Sequence, residues 1–261
     1  MNSNLPKENK LREVLVSHFD DEALKKSSND DLKIYGSRDN NEYLRAPYEF
    51  VEKELLNNIS GLRVLDYCCG TGIYSIYPAL KNANVFGIDI SHQSIKVAED
   101  RAELFGVSKN CNFSAGDAED LEFDNEYFDI ILSYGSLSYL NLRQSFKELR
   151  RVLKPRGKLI IVDSLGHNPI LNFNRRRNVR NYASEFVENL TTITHEDLQI
   201  SEEFFQNSEI KYFDFTTLLG NILSNKYRYN SDPRTLMKLD SYILRLPLLN
   251  KLSFKFVCVI N

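Results

Sequence analysis

The 261-residue sequence has little that would anchor it in a membrane, in a disulfide framework or on a polyanion. No apolar run approaches the roughly 20 residues that span a bilayer. Met1 to Arg12 lacks the apolar core of a secretory leader. The expected location is therefore cytoplasmic, with no membrane span. Cysteine is scarce: there are four, two of them adjacent at Cys68 and Cys69, and no paired CxxC spacing occurs. That excludes a disulfide scaffold and a zinc ribbon and leaves free thiols. The formal net charge is only -3, so no overall field concentrates the chain on nucleic acid or anionic lipid, and no nucleic-acid partner is expected. Internal repeats and low-complexity segments are also missing. What is present is 42% hydrophobic and 26% charged residues, the balance of a chain that buries a core and keeps a soluble surface. The length suits one α/β domain with additions.

Residues 1–60 are polar and rich in Asn, Lys and Asp, with helical patches at Leu11 to Phe19 and Ala46 to Leu56, and read as a helical N-terminal cap. From Leu62 onward, short apolar runs alternate with helical stretches, the pattern of βαβ units around a mainly parallel sheet. Strands are expected at Arg63 to Asp66, Asn84 to Asp89, Asn112 to Ala115, Tyr127 to Ser133 and Lys158 to Val162. Helices are expected from Ile73 to Leu80, from a Ser91 cap to just before Gly106, and from Asn141 to Leu153. Ile95, Ala98, Ala102 and Phe105 share the inward face of the second of these. A turn at Lys154-Pro155-Arg156-Gly157 should end the third. Glu209 to Thr216 and Ser253 to Ile260, rich in aromatic and β-branched residues, read as two final strands. Residues 61–261 thus form the main domain, with substrate-cover insertions after the fifth strand at about 165–207 and 218–250.

The chemistry gathers at strand ends. Asp66-Tyr67-Cys68-Cys69-Gly70-Thr71-Gly72 puts a carboxylate at a strand tip and two glycines in the following turn, where the backbone can approach a ligand closely. Such a turn alone is also found in NAD-binding domains, or with no ligand. Asp89 ends the next strand, where a carboxylate can accept from both hydroxyls of a ribose, and Asp117 follows the third strand on the same carboxyl edge. Together they point to a nucleotide-like ligand.

In these segments the sequence resembles the class I S-adenosylmethionine-dependent methyltransferases, from about Val64 to Val162. VLDYCCGTG is similar to that family's first motif, GIDIS to its ribose-binding strand end and GDAEDL to its adenine loop. FDIILS is similar to its fourth strand and RVLKPRGKLII to its turn into the fifth. The resemblance implies a Rossmann-like α/β fold, a seven-stranded mixed sheet with helices on both faces. It implies S-adenosyl-L-methionine as cofactor, with Asp66 and the turn from Gly70 to Gly72 around its methionine part and with Cys68 and Ser133 also among the cofactor-binding residues. Asp89 would hold the ribose, Ile90 would pack on adenine, and Asp117 and Ala118 would bind the adenine edge. Two departures stand out: Cys68 replaces a frequent glycine, and Arg156 replaces the first glycine of the usual KPGG turn.

The acceptor side is less marked. Tyr134 and Tyr139, with Ser136, follow the fourth strand and are candidates to line an acceptor pocket, although aromatic core packing accounts for tyrosines equally well. His167, after the fifth strand, is the candidate general base because imidazole titrates near neutral pH; the alternative is a loop histidine bonded to backbone. The run Arg175-Arg176-Arg177 offers guanidinium forks for a phosphate or carboxylate on the acceptor, or is simply a solvated helix face. In the cap, Tyr35, Arg38 and Tyr43 are candidates to close over the cofactor. The segment from Leu165 to Asn172 resembles one in methyltransferases of polysaccharide and natural-product pathways. No Asn-Pro-Pro-Tyr-like sequence follows the fourth strand, which argues against nucleobase amine methylation. The expectation is methyl transfer to oxygen or nitrogen of a small-molecule acceptor. An NAD(P)-dependent oxidoreductase is a rival, although its GxGxxG turn wants a glycine near Ser75. A binding protein that keeps the cofactor site without catalysis is the other.

Overall fold

In the computed structural model, residues 5–39, 41–166, 192–227, 232–247 and 249–261 are described. Seven strands form one sheet: β1 (Arg63–Tyr67), β2 (Asn84–Asp89), β3 (Cys111–Ala115), β4 (Phe128–Tyr134), β5 (Leu153–Ser164), β6 (Ser208–Phe213) and β7 (Lys255–Ile260). Their order is β3-β2-β1-β4-β5-β7-β6. The first five strands are parallel, and β7 runs antiparallel between β5 and β6.

Alternation along the central strands sends successive side chains to opposite faces. Leu65 and Tyr67 of β1, with Phe128 and Ile131 of β4, meet Phe146, Leu149 and Val152 of α6 (Leu142–Val152). (Helices are numbered along the chain.) On the other face Val64, Val85, Ile130 and Ile160 pack with Ile76 of α4 (Ile76–Leu80), Ala102 of α5 (His92–Leu104) and Tyr48, Val51 and Leu56 of the N-terminal segment. Both sheet faces are thus dry, which is why β1, β2 and β4 read as nearly continuous apolar runs.

The N-terminal segment is helical, as its sequence suggests: α1 (Leu5–Lys25), α2 (Asn29–Leu32) and α3 (Ala46–Phe50), the last continued by a π-turn over Val51–Leu55. Ser91 caps α5 as expected, its hydroxyl accepting from the Ser94 N–H at 2.9 Å. After the glycine turn, however, α4 begins at Ile76 rather than Ile73. Successive tight turns, Gly72 N–H to Cys69 carbonyl and Ser75 N–H to Gly72 carbonyl, occupy the residues between. The expected turn at residues 154–157 is instead drawn into β5. Leu153 pairs with Phe128 and the register shifts before Ile130, a bulge that accommodates Pro155 in an interior strand.

The last strands are shorter than the sequence suggested, because Asp214 turns the chain at φ 63° and α8 (Thr216–Tyr227) starts at once. Its first turn is held from α9 (Pro233–Ile243) by the buried Asp240, which accepts from the N–H groups of Phe215, Thr216 and Thr217 and from both threonine hydroxyls. A short helix, α7 (His195–Gln199), precedes β6 behind a Thr194–Asp197 capping box.

Asp214 is almost wholly buried, and its Oδ2 has no hydrogen-bond partner among the described residues. Burial, reinforced by the Asp240 charge, pushes its carboxyl up to about 7. A folded-state value above the unfolded one makes its contribution to stability complete below pH ~4 and lost as pH rises towards 7, at roughly 1.4 kcal/mol per pH unit. Asp214→Asn, which keeps a residue tolerant of positive φ, is expected to raise the melting temperature at pH 8 and change it little at pH 4.5. Thermal unfolding of both proteins across that range measures it.

Candidate active site

The carboxyl ends of the parallel strands share one edge, and the acidic residues singled out in the sequence gather there. Asp89, the last residue of β2, spans two backbones. Its Oδ2 accepts from the Gly70 N–H at 2.8 Å and its Oδ1 from the Ser91 N–H at 3.0 Å. Each oxygen keeps a second lone pair, as ribose hydroxyls would require. Burial raises its carboxyl above the usual range, against the bonds from Ser91 and Gly70. Asp66, near the tip of β1, is buried on the α4 side and accepts from the Ser75 hydroxyl at 2.5 Å. Burial pushes it up to about 7; the Ser75 bond opposes the shift and the nearby Asp89 adds to it.

The turn between them has two kinds of glycine. Gly70, at φ 50°, borders open space: among the described residues a Cβ there would meet nothing within 4 Å. Gly72, at φ 72°, is fixed by packing, since its Cβ would stand 2.7 Å from that of Ala98 on α5. The sequence reading assigned both to the ligand, and the geometry gives Gly72 a second reason. Cys68 adopts φ 57°, the left-handed region in which a side chain is strained, which accounts for the glycine frequent in the resembling family. Burial raises its thiol well above the ordinary range, so it is not poised as a nucleophile.

Asp117 lies two residues beyond β3, where its carboxylate pairs with Arg12 of α1 and accepts from the Glu119 N–H at 2.9 Å. Ala118 is buried, and its carbonyl accepts from the Tyr67 hydroxyl at 2.9 Å. Ile90 follows Asp89, half-buried. Ser133 is fully buried and bonded to the Ser136 hydroxyl at 2.9 Å. Tyr134 projects to the opposite face and stacks on Tyr74 with centroids 3.9 Å apart, in a group that includes Tyr48 of α3. Tyr139 meets Phe19 of α1 edge to face at 5.4 Å. Both tyrosines expected at the acceptor pocket therefore pack against the N-terminal segment. Of the cap residues, Arg38 lies over the Tyr35 ring at 4.7 Å. His167 and Arg175 lie outside the described residues.

Sequence reasoning missed the clamps that hold α1 and α2 over this edge. Besides Arg12, Asp20 of α1 accepts from the Ser91 hydroxyl and the Gln93 N–H. Arg101 of α5 is wholly buried and donates to the carbonyls of Ile34 at 3.1 Å, Asp31 at 3.0 Å and Thr71. One guanidinium thus ties the cap to the glycine turn. Its signal was an arginine three residues after Ala98, inside the inward stripe of an amphipathic helix.

The donor set fits an adenosyl ligand: carboxylates at three neighbouring strand tips, lone pairs remaining on Asp89, and free space at Gly70. A cavity of about 650 Å³ lies elsewhere, at the amino ends of β2 and β3 beneath α5, lined by Asn84, Glu99, Lys109 and Cys111 among others.

Comparison with known proteins bears on the family and the fold. Residues 58–221 match the family model described as a methyltransferase domain. The chain belongs to that family, and its seven-stranded mixed sheet is that of the class I, S-adenosylmethionine-dependent members. It is 36% identical over 116 residues to phthiotriol/phenolphthiotriol dimycocerosates methyltransferase of Mycobacterium leprae, covering 43% of this chain and 42% of that one. It is also 36% identical over 118 residues to demethylmenaquinone methyltransferase of Leptospira interrogans, covering 42% and 47%. The chain thus spans less than half the length of these two curated relatives. Among solved structures, a geranyl diphosphate methyltransferase in complex with GPP and sinefungin superimposes with a TM-score of 0.57 at 15% identity, covering 84% of this chain and 80% of that one. That likeness is one of fold.

Two expectations follow from the backbone and the clamp. Cys68→Gly is expected to unfold within about 1 kcal/mol of the parent, whereas Cys68→Val, β-branched at positive φ, should lose roughly 1–3 kcal/mol. Arg101→Ala orphans several carbonyls and should cost about 3 kcal/mol. Denaturant titration measures all three.

Proposed function

We propose that the chain transfers the methyl group of S-adenosylmethionine to oxygen or nitrogen of a small-molecule acceptor. The observation that carries this is the set of strand-tip carboxylates, Asp66, Asp89 and Asp117, around the open Gly70 turn. A sugar or natural-product intermediate is the acceptor class suggested by the Leu165 to Asn172 segment. The two curated relatives, named for a dimycocerosate lipid and a menaquinone precursor, support a small and largely apolar acceptor. Cytoplasmic residence belongs to the same reading; no described helix is long and apolar enough to cross a membrane.

Bound S-adenosylmethionine supplies a methyl group already made electrophilic by its sulfonium, so the protein's work is binding, alignment and proton removal. Alignment of two reactants is worth roughly 7–11 kcal/mol when the geometry is well fixed. In this reading Asp89 accepts from the ribose hydroxyls, Ile90 packs on the adenine, and Asp117 and Ala118 bind its edge. Asp66, the most deeply buried of the three carboxylates, faces the positively charged methionine end. His167 takes the acceptor proton where the acceptor is a hydroxyl, and Arg175 pairs with an anionic group on it.

Calorimetry with S-adenosylmethionine tests the site. Affinity should rise as pH passes upward through about 7, because the ionised Asp66 is the form that attracts a cation. Asp66→Asn should flatten that dependence, and Asp89→Ala should weaken binding at least about ten-fold, the loss of two charge-assisted hydrogen bonds. Unchanged affinity when Asp66→Asn and Asp89→Ala are combined, or tight NAD binding in place of the sulfonium cofactor, would overturn the reading. Turnover of an acceptor panel, followed by S-adenosylhomocysteine release, separates an enzyme from a binding protein. NMR of the product locates the methyl group, and a methyl on carbon would refute the oxygen-or-nitrogen assignment. Near-normal turnover by His167→Ala would dismiss its role as base.

A further inference from the structure

The insertion between β6 and β7 carries a surface that neither the fold nor the cofactor site uses. Because β7 is antiparallel, the chain leaves β6 at Phe213 and re-enters the sheet at Lys255 on the carboxyl edge, where Ser164 of β5 also ends. The packed helices α8 and α9 therefore stand on the same carboxyl edge of the sheet as the strand-tip carboxylates, beyond β4 and β5. Their outer side is apolar: Leu219 and Leu223 are one turn apart on α8, and Leu239 and Tyr242 one turn apart on α9, with Leu246 just beyond. Tyr242 is 68% exposed and Leu246, four residues on, 56%, high values for large hydrophobic side chains.

Charge decides what such a surface meets. Residues 216–252 contain six Lys and Arg but only two Asp and no Glu, whereas the whole chain has 33 basic residues against 36 acidic ones. Both acidic residues serve the helices: Asp240 is turned inward onto the start of α8, and Asp232 caps α9. Arg234, Lys238, Arg245 and Lys251 are exposed and flank the apolar stripe, and none is paired with a carboxylate among the described residues. Apolar side chains rimmed by unneutralised cations match an anionic bilayer, whose acyl boundary takes the former and whose headgroups take the latter. A second copy is a poorer fit, because a two-fold contact through this patch sets cations against cations.

We propose that the α8–α9 hairpin docks the protein on an anionic membrane surface, turning the carboxyl edge of the sheet towards the lipid. The docking stands apart from the identity of the methyl acceptor and is tested without turnover. Flotation of the full chain with vesicles of phosphatidylcholine, alone or mixed with phosphatidylglycerol, should show binding to the anionic vesicles only, weakening as salt rises. Lys238→Glu with Arg245→Glu should lower the partition coefficient at least about ten-fold, and Leu239→Ser with Tyr242→Ser should do likewise while retaining the melting temperature. If the charge reversal fails to fold, Arg234→Gln with Lys251→Gln should give a smaller loss of the same sign. No binding to anionic vesicles at low salt, or equal binding by parent and folded variants, would overturn the proposal. So would a dimer in light scattering that Leu239→Ser with Tyr242→Ser dissolves, without vesicle binding by the parent.

Discussion

The site depends on a single carboxylate bridging two turns. Asp89 accepts from Gly70 on one side and Ser91 on the other, so the end of β2 fixes both the bend after β1 and the first turn of α5. Because these are charge-assisted bonds to backbone, they are stronger and shorter than neutral ones, and they set the turn before any ligand arrives. Asp66 and Asp117 then take their places on neighbouring strand tips without needing contact with each other. Preorganisation of this kind matters for methyl transfer, in which the protein contributes placement more than covalent chemistry.

Over that edge the cap is clamped at points that differ in kind. Arg12 and Asp20 use exposed or half-buried polar contacts, which are individually weak. Arg101 is different, a wholly buried cation whose hydrogen bonds run to backbone carbonyls of both the cap and the glycine turn. Removing such a group is costly because its partners cannot turn to water. The cap is therefore integral to the glycine turn, and Tyr48, stacked with Tyr74 and Tyr134, extends the same union along that face of the sheet.

Most of the fold was legible because its strands are short apolar runs bounded by aspartates, glycines and capping residues. β2, from Asn84 to Asp89, and the Ser91 cap of α5 follow directly from that punctuation. Where expectation and structure part, a tertiary contact overrides a local signal. Pro155 and Gly157 look like a turn but lie in a strand because a bulge against Phe128 makes room. β6 stops at Phe213 because Asp240, distant in sequence, caps the helix that follows. The carboxylates and glycines of the site were readable from motif spacing. The clamps by Arg12, Asp20 and Arg101 were not, since each joins residues about 70 or more positions apart. The near-neutral total charge likewise concealed that basic residues crowd into 216–252, because a sum over the chain carries no information on placement.

The antiparallel β7 has a consequence for how such a protein diversifies. By returning the chain to the carboxyl edge, it lets the whole stretch from Asp214 to Phe254 grow, shrink or change character while its two attachment points stay fixed on adjoining strands. Selectivity and address can thus be rewritten on an appendage, leaving untouched the hydrogen-bonded scaffold on which nucleotide recognition depends.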